Sequence, residues 1–178
     1  MTKFYFIRHT SVAVPRGICY GNTDVALADT FEQEAAKTRS QLEGIVFDCV
    51  FTSPLTRASR LAAFCGYPDA VPDPRLKEIN FGDWELCSYD DLYEKDPCFK
   101  RWCDDTYHTR TPNGESVSDQ MERLVSFIHD VQKMNVANVA VFCHGGIQAL
   151  AMVHAGIYSF DEVFSHVPEY GSVKIIEI

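Results

Sequence analysis

An α/β fold with a mostly parallel central sheet is the architecture this 178-residue sequence predicts. Three observations predict it. Short apolar runs of strand length alternate along the chain with segments of helical period. The runs at residues 3–7, Cys49–Thr52 and Asn138–Cys143 lack the polar alternation of a half-exposed strand, as strands buried on both faces do. Each run then breaks off into polar or small residues, namely Arg8-His9, Ser53-Pro54 and His144-Gly145-Gly146. The expected arrangement is a three-layer α/β/α sandwich of one domain over residues 1–178. A small helical cap at 88–110 makes an excursion over the edge where those strands end.

The elements follow in order. Residues 3–7 read as the first strand, and residues 8–29 as a long loop carrying Pro15, Gly17 and Gly21. A loop of that length in a compact chain is usually kept for function. Thr30 with Gln33 has the spacing of a capping box and opens a helix to about Glu43. After the second strand, Ser53-Pro54 offers an N-cap and a first-turn proline for a helix to about Cys65, stopped by Gly66. Residues 67–87, rich in Pro, Asp and Gly, read as loop with short extended pieces. Ser88 and Asp91 start a short helix that Pro97 interrupts. Ser116 caps a long helix to about Met134, on which Val117, Met121, Leu124, Val125, Ile128 and Val131 share one face. A third strand at Asn138–Cys143, a helix from about Ile147 to Ala155 and a closing strand at 173–178 complete the series.

Composition narrows the function. Hydrophobic residues make up 46% and charged residues 23%, enough apolar material for a sizeable core. The net charge of −9 argues against nonspecific binding to nucleic acid or to an anionic membrane, so neither is an expected partner. The seven cysteines are odd in number, contain no C-x-x-C pair and fall mostly at positions that read as buried. That pattern fits free thiols in a reducing compartment. No basic-then-apolar leader is visible, and no apolar run approaches the ~20 residues of a membrane span, so a cytoplasmic location is expected.

The chemistry is expected at the strand ends, because ligands of open α/β sheets bind outside the carboxyl ends of the strands. Parallel strands would bring Arg8, His9, Arg57 and His144 to one volume. An arginine fork matches phosphate oxygens. Arg57 lies in the first turn of its helix, where side chains lean toward the N-terminus and backbone N–H groups are free. Gly145 and Gly146 let the backbone approach an anion closely. Two histidines around a phosphate point to phosphoryl transfer: a neutral imidazole attacks phosphorus, and the other imidazole and the arginines stabilise the equatorial charge. An alkoxide leaving group then needs an acid. Glu78, in the segment R-L-K-E-I-N-F-G-D-W-E, is the candidate, since an anion nearby favours the protonated form of a carboxyl. The scheme needs no cofactor and no metal. Cys98, Cys103 and His108, spaced by five, match no common zinc pattern and lack a fourth ligand. Neither a G-x-G-x-x-G after a strand nor a P-loop is present. An Arg-His pair or a helix arginine is ordinary surface chemistry when taken singly, and it is their recurrence at three strand ends that carries the reading.

These residues resemble the histidine phosphatase superfamily, also called phosphoglycerate-mutase-like, over nearly the whole chain and in order. R-H-T is similar to the family's R-H-G, which implies Arg8 as phosphate ligand and His9 as nucleophile. T-S-P-L-T-R-A-S-R carries Arg57 as the second phosphate arginine, and the segment around Glu78 supplies the proton donor. P-N-G-E-S at residues 112–116 resembles the stretch before the long helix. F-C-H-G-G carries His144, with the Gly145 amide on phosphate. Two departures stand out. Thr10 replaces the usual glycine, so the carbonyl that orients the nucleophile is expected to sit differently. Val14-Pro15-Arg16 occupies the place of an asparagine phosphate ligand, leaving Arg16 as the substitute on offer. The loop G-I-C-Y-G-N-T-D (17–24) resembles that of bacterial α-ribazole phosphatases. This implies removal of the 5′-phosphate from α-ribazole 5′-phosphate or from adenosylcobalamin 5′-phosphate, with Tyr20, Gly21, Asn22 and Thr23 as substrate contacts. Tyr20 is expected either to stack on a heterocycle at the pocket mouth or to pack against the sheet edge. A broad phosphatase, a phosphoglycerate mutase and a phosphoprotein-binding module on an inactive scaffold stay open beside it. The expected partner is a small phosphorylated metabolite, with a homodimer allowed.

Overall fold

The computed structural model describes residues 1–178, the side chain of Phe164 excepted. Five strands form one sheet in the order β3-β2-β4-β1-β5, with β1 Lys3–Arg8, β2 Cys49–Thr52, β3 Val71–Pro72, β4 Asn138–Cys143 and β5 Val173–Glu177. β1, β2, β3 and β4 run parallel, and only β5, beside β1, is antiparallel. β3 is two exposed residues ending in Pro72, a short edge that offers little to a further strand.

Alternation along the strands builds the layers. Phe4 and Phe6 of β1, with Val139, Val141 and Cys143 of β4, face α5 (Val117–Lys133) and α6 (Gly145–His154). Tyr5 and Ile7, with Ala140 and Phe142, face α1 (Phe31–Gln41) and α2 (Thr56–Phe64). Both faces of β1 and β4 are therefore dry, which is why their sequences read as unbroken apolar runs. β2 departs from that expectation: Cys49, Val50 and Phe51 are only half-buried, beside a β3 of two residues. Phe6 is fully buried, and its replacement by Ala would cost about 3–5 kcal/mol.

Three helix starts differ from expectation. The Thr30 capping box does not form: the Thr30 hydroxyl donates instead to the Glu34 carboxylate at 2.6 Å, which also accepts the Ser11 amide. Ser53 does not cap α2, which begins later with Leu55 as its cap, because the Ser53 hydroxyl is engaged with His144. α6 starts at Gly145, two residues before the apolar signal, since glycines hide the first turn from a periodicity reading. Ser116 caps α5 as expected, and Asp119 completes a capping box with it. The cysteines also depart from expectation: Cys19, Cys65 and Cys143 are buried, Cys49, Cys87 and Cys98 are half-buried and Cys103 is exposed, all as free thiols.

The segment over the sheet edge folds as two helices, α3 Tyr89–Lys95 and α4 Pro97–Asp104. Asp96 makes the break between them. Its carboxylate caps α4 through the Cys98 amide and accepts the Trp84 indole N–H at 2.8 Å. Phe99 and Trp102 of α4 pack edge-on against Trp84, so an aromatic cluster fixes the cap to the body. Among the described residues no helix is long and apolar enough to cross a membrane.

Candidate active site

Strand register sets the floor of the site. Arg8 of β1 pairs with Cys143 of β4, and Thr52 of β2 with Phe142, so the residues that follow, His9, Ser53 and His144, lie in one row at the carboxyl edge. The His9 and His144 rings meet edge to face with centroids 5.2 Å apart. Backbone bonds pin the row: the His9 amide donates to the Cys143 carbonyl and the Ser53 amide to the Phe142 carbonyl.

His9 is 2% exposed. Its Nδ1 lies 2.7 Å from the Thr10 carbonyl oxygen. A carbonyl only accepts, so Nδ1 carries the proton and the Nε2 lone pair is free. Thr10 in place of glycine thus leaves the orienting carbonyl within reach of the ring. Burial, followed by the charge of Arg57, holds the His9 imidazole well below its ordinary range, against a smaller upward pull from Thr10. His144 is fully buried, shares a 2.7 Å hydrogen bond between Nε2 and the Ser53 hydroxyl, and is likewise pushed well down by burial and then by Arg57. Its Nδ1 has no partner. Both rings are therefore neutral at neutral pH.

The two arginines are held differently. Arg57 is fully buried, with Nη1 donating to the Thr23 carbonyl and Nη2 to the Gly21 carbonyl, while Nε lacks a partner. Arg8 donates Nη1 to the Pro168 carbonyl, its guanidinium lies 4.0 Å from the centre of the Tyr170 ring, and its Nε is buried without a partner. A Cβ on Gly145 would stand 2.9 Å from the Arg8 guanidinium carbon, so glycine is needed there for close approach.

Glu78 faces the row from the loop after β3. Its Oε1 accepts the Gln120 side-chain amide at 2.7 Å, and its Oε2 accepts the Gly146 amide at 2.9 Å. A Cβ on Gly146 would lie 2.4 Å from that carboxylate, which explains the second glycine. Arg123 braces the segment, donating to the carbonyls of Arg75, Lys77 and Glu78 and pairing with Glu115.

A cavity of about 260 Å³ opens above this floor. Arg8, His9, Glu78, Gly145 and Gly146 line it, whereas Arg57 and His144 lie behind the surface. The rest of the lining is largely apolar and aromatic, with Ile79, Phe81, Trp102, Val117 and Leu150. Tyr20 lines the mouth and shares a 2.9 Å hydrogen bond with the Tyr170 hydroxyl. The remainder of its loop differs from expectation. Gly21 and Thr23 spend their carbonyls on Arg57, and the amides of Gly21, Asn22 and Thr23 converge on the Glu85 carboxylate. Burial alone would raise the Glu85 carboxyl, but those bonds and the Thr23 hydroxyl at 2.6 Å hold it below its usual range. Through the Gly21 and Thr23 carbonyls the loop positions Arg57. Arg16 is exposed and outside the cavity lining.

Sequence reasoning missed Gln120, Ser53, Glu85, Trp102 and Tyr170. Gln120 had a signal, being a polar residue inside the apolar stripe of α5. Tyr170 had none, because only the chain's return to the sheet edge brings it over Arg8.

Comparison with known proteins places the chain. The model of the histidine phosphatase superfamily (branch 1) matches residues 4–178. The adenosylcobalamin/alpha-ribazole phosphatase of Escherichia coli (strain K12) is 30% identical over 83% of this chain and 76% of its own length. A 2,3-bisphosphoglycerate-dependent phosphoglycerate mutase of Methylobacterium sp. (strain 4-46) is 34% identical over 76% of this chain and 69% of its own. The crystal structure of the alpha-ribazole phosphatase from Shigella flexneri superposes with a TM-score of 0.89, covering 99% of this chain and 91% of that one at 24% identity, a likeness of fold.

Proposed function

The chain belongs to the histidine phosphatase superfamily, whose members are phosphatases or mutases, and on that premise we propose that it is a phosphomonoesterase working through a phosphohistidine. The His9 Nε2 lone pair attacks phosphorus, and the P–O bond to the leaving group breaks. Glu78 gives its proton to the departing alkoxide. Water then attacks the phosphohistidine and passes a proton to Glu78, while the N–P bond breaks and inorganic phosphate leaves. Arg8 and the Gly145 amide hold the phosphoryl oxygens, and Arg57 and His144 stabilise the charge from behind.

One observation carries the choice of hydrolysis on a bulky substrate. Among the described residues that line the cavity Arg8 is the sole lysine or arginine, and most of the others are apolar or aromatic. A bisphosphoglycerate would need cations at both ends, whereas a monophosphate on a flat, apolar remainder matches the lining. α-Ribazole 5′-phosphate has that form, and the similarity to an adenosylcobalamin/alpha-ribazole phosphatase supports it. The free thiols suit a reducing, cytoplasmic setting.

Steady-state kinetics on α-ribazole 5′-phosphate, sugar phosphates and 3-phosphoglycerate, the last with and without the bisphosphate primer, test the reading. Highest kcat/KM on the ribazole phosphate with no primer-dependent phosphoglycerate isomerisation is expected. Primer-dependent isomerisation as the fastest reaction would replace hydrolysis by the mutase reading.

A further inference from the structure

Two tyrosines tie the two arginines together. Arg57 lies 5.5 Å from the centre of the Tyr20 ring, the Tyr20 and Tyr170 hydroxyls are 2.9 Å apart, and Arg8 lies 4.0 Å from the centre of the Tyr170 ring. The chain Arg57–Tyr20–Tyr170–Arg8 joins the loop after β1 to the segment before β5 across the mouth of the cavity. Tyr170 also tilts over His9, with centroids 5.6 Å apart.

The contacts fix more than a distance. The Arg8 guanidinium has the Tyr170 ring on one side and Gly145, with no room for a Cβ, close by. Its Nη1 is taken by the Pro168 carbonyl, and its buried Nε is left without a partner. A free guanidinium turns about its stem, whereas one with a face on an aromatic ring and one nitrogen bonded keeps its plane. The unpartnered Nε side of the fork is the part left for an anion. Burial first, and then the bond to Tyr170, raise the Tyr20 phenol, so the bridging hydroxyl stays protonated and the link lasts through the neutral range.

We propose that Tyr170, linked to Tyr20, is a positioning residue that holds the Arg8 guanidinium in its phosphate-receiving plane and couples its placement to that of Arg57. The proposal rests on the phosphatase reading. Tyr170 packs on the Arg8 guanidinium and beside the His9 ring, and acts through Arg8 and not on the phosphoryl group itself.

The test separates ring from hydroxyl. Affinity for inorganic phosphate and for vanadate is measured by calorimetry, and KM and kcat on p-nitrophenyl phosphate are measured alongside, for wild type, Tyr170→Leu, Tyr170→Phe, Tyr20→Phe and the Tyr20→Phe/Tyr170→Phe double variant. Tyr170→Leu should weaken both anions about tenfold and raise KM more than it lowers kcat. Tyr170→Phe and Tyr20→Phe should each weaken them about two- to threefold, and the double variant no further, because all three remove the same bond. Unchanged anion affinity in Tyr170→Leu, a Tyr170→Phe loss as large as that of Tyr170→Leu, or additive losses in the double variant would each overturn the proposal. Should Tyr170→Leu fail to fold, the two phenylalanine variants and their double decide by additivity alone. Wild-type protein that neither binds vanadate nor hydrolyses p-nitrophenyl phosphate would remove the phosphatase reading itself. Vanadate binding and turnover in wild type, with flat variants, would remove only the role of Tyr170.

Discussion

The floor and the roof of the cavity are built on opposite plans. His9, His144 and Arg57 on the floor are buried to 2% exposure or less; the histidines stand directly after strand ends and Arg57 in the first turn of α2. Most of their polar atoms are fixed by a hydroxyl or a backbone carbonyl close by. The roof comes from three segments far apart in sequence: Tyr20 from the first loop, Tyr89 and Trp102 from the cap and Tyr170 from the chain's return, the last 40% exposed. It is made largely of ring faces, with the Tyr20 and Tyr170 hydroxyls bonded to each other. The floor is over-determined and suits a reaction that tolerates no misplacement. The roof presents ring faces from separate segments and suits the choice of the group carried on the phosphate.

That contrast can be broken at either level. Floor changes should act on kcat and roof changes on KM. The largest effect after loss of His9 itself is expected from Glu78→Gln. Turnover of an alkyl phosphate should fall about 10²–10³-fold and that of a phenolic ester far less, because a good leaving group needs little protonation. Equal losses on the two esters would take the acid role from Glu78. On the roof, Trp102→Leu keeps an apolar side chain but removes the ring face. It should raise KM for a phosphate bearing an aromatic heterocycle about tenfold, with glycerol phosphate changed less than about twofold. Equal changes on both would make Trp102 a packing residue only.

The smallest effect sharpens the floor. Burial and the charge of Arg57 depress His9, whose neutral form is the proposed nucleophile. Activity should therefore persist as pH falls below the ordinary histidine value of about 6.5, and be lost only as the depressed group protonates. Arg57→Met removes a charge that lowers His9, so the acid limb of kcat/KM should move upward in pH. A limb that stays in place would show that burial alone sets it. Stability has the same sign: the unfolded chain protonates both histidines first, so the melting temperature should decline as pH drops through that range.

The floor was legible in the sequence because each of its parts is local. An apolar run predicts a strand, the residue after it must sit at the carboxyl edge, and parallel strands align those edges. The sheet, its layers, the long helix and the Ser88 start of α3 followed from the same local signals, whereas the caps expected of Thr30 and Ser53 did not form because both hydroxyls found other partners. Of the roof, Tyr20 at the pocket mouth and an aromatic stretch over the right edge were legible, and Tyr170 was not. Gln120 and Ser53 support Glu78 and His144 across 42 and 91 residues of chain, a separation no spacing rule spans. Gly21 and Thr23, expected against substrate, turned out to hold Arg57, since a loop motif does not disclose which way its carbonyls point.

In the proposed reaction His9 carries the phosphoryl group between the two half-reactions. Rapid acid-free quenching of a turnover mixture with ³²P-labelled substrate, followed by proteolysis and peptide mapping, tests it most directly. A label on the peptide containing His9 is predicted, labile in acid, stable in alkali and absent from His9→Ala, which should also have lost at least about 10⁴-fold in kcat. Wild-type turnover with no labelled peptide, a label on another residue, or a His9→Ala variant that still hydrolyses at the wild-type rate would contradict it.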